Sequence, residues 1–379
     1  TPASTLKLKS HATKLPVLSQ RTGPSFEPRG RSKLQASSTK DVQSTGEPTK
    51  QFFLKTLWDF TRPHTLIGSA LCIPAIHLYA APLSTNPSIV RLIHSIIFAT
   101  LPSLLMNLYI TGLNQITDVE IDKISKPFLP IPAGRLSKAA ATIVVLVSLV
   151  AGVALGWADP VFCTPALRAT LLGSALLGTL YSVPPFRLKR FPLLAALCII
   201  VVRGTLINVG FFAHARAATY KGAAAAVPPL LALPFRDLRC GLLTAYFAVF
   251  GVVIALMKDV PDAQGDRAND IRSFTVRFGQ ARMFQVGRRL MTALVWATGG
   301  GFLAGAARAA GLGSRGGAPA LEGGGGGSGQ RWGTSLGVGQ WVRREAAAVD
   351  PEEPRQVYKF YMFLWKLFYG SYFVLPFVQ

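Results

Sequence analysis

The chain has 379 residues, half of them hydrophobic (50%), with a mean hydropathy of +0.36. This excludes an ordinary soluble globule and implies a polytopic membrane protein. The formal charge of +22 comes from basic residues dispersed over the tail, loops and helix ends, while the aromatics lie inside apolar runs. That distribution excludes a nucleic-acid surface and fits loops flanking membrane helices.

Residues 1–50 are rich in Ser, Thr, Lys and Arg, poor in acid, and lack an apolar run. The composition predicts an organellar transit peptide, with a disordered tail as the alternative. The membrane domain, residues 51–379, then opens with Trp58, Phe60 and Arg62 as expected interfacial anchors. Apolar stretches of about 20 residues predict spans at residues 64–82, 89–113, 139–158, 165–183, 192–213, 241–258, 283–307 and 357–378. The fold class expected is therefore all-α, a transmembrane helical bundle of about eight to nine helices. Cys72, Cys163, Cys198 and Cys240 form no CxxC pair and read as small core hydrophobes.

Two acid clusters interrupt the apolar pattern. Asn114-Gln-Ile-Thr-Asp118-Val-Glu120-Ile-Asp122 follows the second span, and Lys258-Asp259-Val-Pro-Asp262-Ala-Gln-Gly-Asp266 follows the sixth. The chain has 18 acidic residues, and seven of them, these six plus Asp270, fall in these two stretches, so the clustering needs a cause. Acids at the mouth of a membrane core are costly unless paired or bound to cations. On a helix, Asn114, Asp118 and Asp122 drift by only about 40° per step, and Asp259, Asp262 and Asp266 share a face likewise. Four crossings separate the clusters, which places both on one side of the membrane. Facing carboxylates suit Mg²⁺, a hard cation commonly completed by water and substrate phosphates. Between the clusters lie the loop Lys126-Pro-Phe-Leu-Pro and the basic loop Tyr181-Ser-Val-Pro-Pro-Phe-Arg187-Leu-Lys189-Arg190.

One region departs from this plan. Residues 299–349 hold 17 of the 36 glycines, a composition expected of a flexible linker where a returning span belongs. Either an insertion displaces that helix or the segment derives from retained intron.

Asn-x-x-x-Asp-x-x-x-Asp after a span, a second Asp-rich motif, and Tyr-Ser-x-Pro-Pro-x-Arg-x-Lys-Arg between them resemble the UbiA-type intramembrane prenyltransferases. Phe60-Thr-Arg62-Pro63-His64-Thr65, Gly112-Leu-Asn114-Gln115, Ile271-Arg272-Ser273-Phe274 and Tyr361-Met-Phe-Leu-Trp365-Lys366 are similar to the homogentisate prenyltransferases of plastids and cyanobacteria. The resemblance covers residues 51–298 and 355–379. It implies a plastid membrane enzyme that moves a prenyl group from prenyl diphosphate to homogentisate with loss of CO₂, serving tocopherol or plastoquinone synthesis. The phytyl wording is the closer, with a solanesyl transferase as the alternative. The family carries about nine helices, one more than the spans found here.

Under this resemblance Asp118 and Asp122 would hold one Mg²⁺, and Asp262 and Asp266 the other, with Asn114 bonding the same phosphate or ion. Asp259 is a further candidate ligand, and Lys126, Lys189 and Arg190 are candidate phosphate partners. Arg62 and His64 fit the acceptor's carboxylate by type. Tyr109, Tyr181 and Phe211 are candidates for facing the allylic cation. Arg203, inside a span, is expected to pair with an acid. Glu120, about 200° from Asp118 on a helix, is expected to pair with a neighbouring cation instead. A transporter using carboxylates, or an inactive membrane protein, are the readings from other classes.

Overall fold

The computed structural model describes residues 49–80, 88–220, 227–309 and 326–377. Residues 1–48 of the expected transit segment and residues 310–325 of the Gly-rich stretch lie outside them. The described residues form helices joined by loops, without a strand. A short α1 (Thr49–Phe60) leads into α2 (Pro63–Ala80), α3 (Ile89–Thr117), a short α4 (Val119–Ser125), α5 (Lys138–Gly156) and α6 (Pro165–Ser182). The next span runs unbroken over Pro192–Thr219 as α7 (Pro192–Ile199), a π-helical turn (Ile200–Leu206) and α8 (Ile207–Thr219). After the single turn α9 (Leu233–Arg236) come α10 (Leu238–Ala268), α11 (Phe274–Phe278), α12 (Gln280–Ala309), α13 (Gly326–Ala347) and α14 (Pro354–Val374).

Ile89–Thr117, Lys138–Gly156, Pro192–Thr219 and Leu238–Ala268 are long and apolar enough to cross a membrane. Their outward faces suit lipid. Ile143, Leu146, Val147 and Val150 of α5 are exposed, as are Ile93, Ile97 and Leu101 of α3, which in water would be an unsupported apolar surface. The inward faces close over a core that includes Ile73, Met106, Phe247, Phe250, Trp365 and Tyr372. Phe247 and Tyr372 stack at 3.9 Å between ring centroids, which joins α10 to α14.

Small residues set the closest approaches. A Cβ on Gly112 would stand 2.9 Å from the Phe60 ring, and one on Gly178 would stand 2.8 Å from Ile110. Close backbone contact of this kind is how helices associate when lipid is as apolar as their side chains. Phe60 is fully buried and its carbonyl accepts from Gln115 Nε2 at 2.7 Å, so it anchors α1 to α3 rather than to the interface. Trp58 is the exposed anchor. All four cysteines are free and buried.

The Gly-rich stretch is not linker throughout. Residues 326–347 are helical in α13, which packs on α12, with Val342 and Ala346 buried and Trp341 edge-on to Phe363 at 4.8 Å. Packing along a neighbour overrides the low helix propensity of glycine.

Candidate active site

The site forms where the N-terminal end of α2 and the C-terminal ends of α3, α6 and α10 meet. The helix carrying the first cluster breaks at Asp118, whose backbone (φ −110°, ψ 15°) ends α3 and starts α4. Asn114, Asp118 and Asp122 nevertheless line one cavity. The second cluster lies in unbroken helix: α10 continues through Pro261 to Ala268, so Asp259, Asp262 and Asp266 are helical and also line that cavity. Asp118, Asp122, Asp262 and Asp266 are all buried.

Cations face Asp118, Asp122, Asp259 and Asp262. Lys126 Nζ lies 2.6 and 2.5 Å from the two oxygens of Asp262 and 4.0 Å from Asp122, joining the two clusters. Asp118 receives the Lys189 ammonium, Arg187 at 3.2 Å and the Asn114 amide at 2.9 Å. Arg62 stands 3.7 Å from Asp122, and Lys258 stands 3.4 Å from Asp259. Arg62 reaches inward because its backbone is left-handed (φ 51°) just before Pro63 opens α2. Arg187 is also left-handed (φ 36°), a conformation that costs a non-glycine residue about 1 kcal/mol. Such strain at a basic residue facing an acid is characteristic of functional loops.

Burial pushes the Asp122 carboxyl up from its ordinary range, with Arg62 and then Lys126 opposing the shift. Burial lowers Lys189 to about 8 against the pull of Asp118. One Asp122 oxygen is buried and accepts no hydrogen bond. The acids thus offer hard oxygen donors, one of them unsatisfied, which fits a divalent hard cation. No group of three or more His, Cys, Asp or Glu converges as a closed metal cage among the described residues. Mg²⁺ does not need one, since it is usually held by one or two carboxylates plus phosphates and water.

One expected phosphate partner stands differently. Arg190 is exposed and outside the cavity lining, while Arg187, three positions earlier, takes the inward place. Sequence order alone did not distinguish them; the left-handed turn does. Glu120 is exposed and pairs with Lys123 at 2.9 Å, as its helical offset implies.

A larger cavity of about 240 Å³ continues inward and shares Arg62, Asn114, Tyr181 and Lys258 with the carboxylate cavity. Tyr181 and Phe211 line it. Tyr109 instead bonds Thr179 through its hydroxyl at 2.6 Å, a packing role. Arg203 also lines it but pairs with no acid among the described residues; its guanidinium lies 5.0 Å over Trp365. The charged carboxylate cavity opens here into a more apolar interior, which suits an amphiphilic ligand.

Residues 70–367 match the UbiA prenyltransferase family. The chain is 34% identical over 336 residues to homogentisate phytyltransferase 1, chloroplastic, of Arabidopsis thaliana, covering 86% of this chain and 76% of that protein. It is 35% identical over 328 residues to homogentisate geranylgeranyltransferase of Hordeum vulgare, covering 86% and 73%. It is 40% identical over 236 residues to homogentisate phytyltransferase of Synechocystis, covering 61% and 71%. The fold is similar to that of a UbiA homolog from Archaeoglobus fulgidus solved with GPP and Mg²⁺, at a TM-score of 0.52 and 16% identity, over 85% of this chain and 100% of that one. The helical bundle with its two facing acid clusters is therefore a prenyltransferase, and the chain belongs to the UbiA prenyltransferase family.

Proposed function

We propose that the protein transfers a prenyl group, of the twenty-carbon phytyl type, from prenyl diphosphate to homogentisate with loss of CO₂, in a plastid membrane. The observation that carries this reading is the convergence of two acid clusters and their cations at the mouth of an apolar cavity. The names of the Arabidopsis and Synechocystis relatives support homogentisate as acceptor and phytyl as donor group. The barley relative is named for geranylgeranyl, also of twenty carbons, and an Arabidopsis relative for solanesyl.

Mg²⁺, when bound, would neutralise the charge that builds on the departing diphosphate. Asp118 and Asp122 on one side, and Asp262 and Asp266 on the other, are the residues that would hold it, with Asp259 beside them. Lys126, Lys189 and Arg187 are placed to turn from carboxylate to phosphate oxygens, where charge-assisted hydrogen bonds are strong. Asn114 orients Asp118 through its amide. The allylic C–O bond then breaks, and the faces of Tyr181 and Phe211 shield the allylic cation from water. The ring carbon of the acceptor bonds to it and loses its proton. The side-chain carboxylate leaves as CO₂ and the remaining methylene takes a proton, so no net base is consumed.

Membranes containing the protein, given homogentisate and each of phytyl, geranylgeranyl and solanesyl diphosphate, test this reading by mass spectrometry of the quinol product. A phytylated, decarboxylated product is expected. Turnover with solanesyl diphosphate and none with phytyl diphosphate would overturn the donor assignment.

A further inference from the structure

Three cations line the larger cavity: Arg62, Arg203 and Lys258. Arg62 faces Asp122 and Lys258 faces Asp259. Among the described residues the Arg203 guanidinium has neither an ion pair nor a hydrogen bond; it stacks 5.0 Å over Trp365 and 6.0 Å over Phe368. A guanidinium within an apolar span is costly without a partner. Stacking occupies only the face of the group and leaves its in-plane N–H donors free for an acceptor.

The backbone is built to hold Arg203 at this place. It lies in the π-helical turn between α7 and α8, and such turns are frequent at functional sites. The carbonyls of Arg203 and Gly204 are taken up by Asn208 Nδ2 at 2.6 and 3.1 Å, and the Tyr372 hydroxyl donates to Asn208 Oδ1 at 3.0 Å. Gly204 lets the turn lie against α10, where a Cβ would come within 2.7 Å of Ala248. The arginine stem crosses Gly251, whose added Cβ would stand 3.5 Å from Arg203 Cβ. Also lining the cavity are neutral polar groups, with Asn107 Nδ2 donating to Ser69 Oγ at 3.0 Å.

We propose that Arg203 anchors the carboxylate of the aromatic acid acceptor, with Asn107 and Ser69 as neutral partners for its ring hydroxyls. The proposal rests on the reading of the acceptor as homogentisate. A carboxylate presents two coplanar oxygens that match the guanidinium fork, and each ion relieves the other's burial. By residue type Arg62 and His64 fit this carboxylate, but Arg62 is already engaged with Asp122 in the diphosphate half of the site, and the His64 ring packs edge-on to Trp365 at 5.2 Å.

Equilibrium dialysis of labelled homogentisate against the purified protein in nanodiscs tests this without requiring turnover. Arg203→Gln should weaken homogentisate binding by about tenfold or more, the loss expected of a charge-assisted hydrogen bond. Arg203→Lys should retain part of the affinity. Binding of methylhydroquinone, which lacks the carboxylate, should be the same in all three proteins, and this also reports that the variants are folded. Unchanged homogentisate binding in Arg203→Gln overturns the proposal, as does equal loss of both ligands. Parallel turnover assays keep the two readings apart. Binding through Arg203 without prenyl transfer sinks the functional reading alone, whereas transfer with unchanged binding in Arg203→Gln sinks only the anchor. No homogentisate binding by the unmodified protein sinks both.

Discussion

Lys126 lies within hydrogen-bonding distance of both carboxylate oxygens of Asp262, at 2.6 and 2.5 Å, although 136 positions separate them in the chain. This contact closes the two acid clusters into one site. Replacing Lys126 by Gln leaves Asp262 without its cation and removes a donor for phosphate. Turnover should fall by about 100-fold or more, as when a preorganised charge partner is lost, with the KM for prenyl diphosphate raised. Lys126→Arg should restore part of the rate, and steady-state kinetics on both variants check this.

Lys189 gives a pH signature in the metal-free protein. Burial holds its ammonium at about 8 in the folded state against 10.5 for the free side chain. Between these values the unfolded chain keeps the proton and the folded chain does not, so this residue makes stability rise with pH across that window. Thermal unfolding from pH 8 to 10.5 should show the rise in the unmodified protein, and Lys189→Gln should flatten it.

Gly204 allows the π-helical turn to approach α10, and the Cβ of any other residue would meet Ala248 at 2.7 Å. Gly204→Val should cost about 1–3 kcal/mol through overpacking. The detergent-solubilised variant should melt lower.

Ser95 joins two buried histidines far along α3 from the acid cluster. Its hydroxyl lies 3.1 Å from His77 Nε2 and 3.3 Å from His214 Nε2, and His214 Nδ1 meets Thr164 Oγ1 at 2.9 Å. These groups tie α2, α3, α8 and the start of α6 together. Ser95→Ala leaves His77 Nε2 unsatisfied, while His214 Nε2 keeps the backbone carbonyl of residue 95 at 3.3 Å, and should cost about 1–3 kcal/mol. Unchanged prenyl diphosphate KM in the folded fraction would separate this structural effect from the site.

The bundle and the acid clusters were legible in the sequence because both rest on spacing: apolar runs of span length, and carboxylates at helical intervals. The count of four crossings placed the clusters on one side, and the Lys126–Asp262 contact agrees. What spacing cannot show is direction at irregular backbone. Arg187 turns inward and Arg190 outward because a left-handed residue breaks the loop's regular sense. Arg203 has its role through a π-helical turn whose carbonyls are satisfied by Asn208, a tertiary arrangement with no local signature. Phe60 read as an interfacial aromatic, yet Gly112 opens the space that buries it. Glycine composition likewise read as linker at residues 326–347, where packing on α12 supports a helix.

The central claim is that the two acid clusters form one metal-dependent diphosphate site. The most direct measurement is prenyl transfer from phytyl diphosphate to homogentisate by membranes carrying the unmodified protein, Asp118→Ala or Asp262→Ala, with Mg²⁺ and with excess chelator. The account predicts that chelation abolishes transfer and that each substitution lowers it by about 1000-fold, a loss of the size seen when residues acting as a unit are broken. Activity that survives both substitutions, or that is indifferent to Mg²⁺, would contradict it.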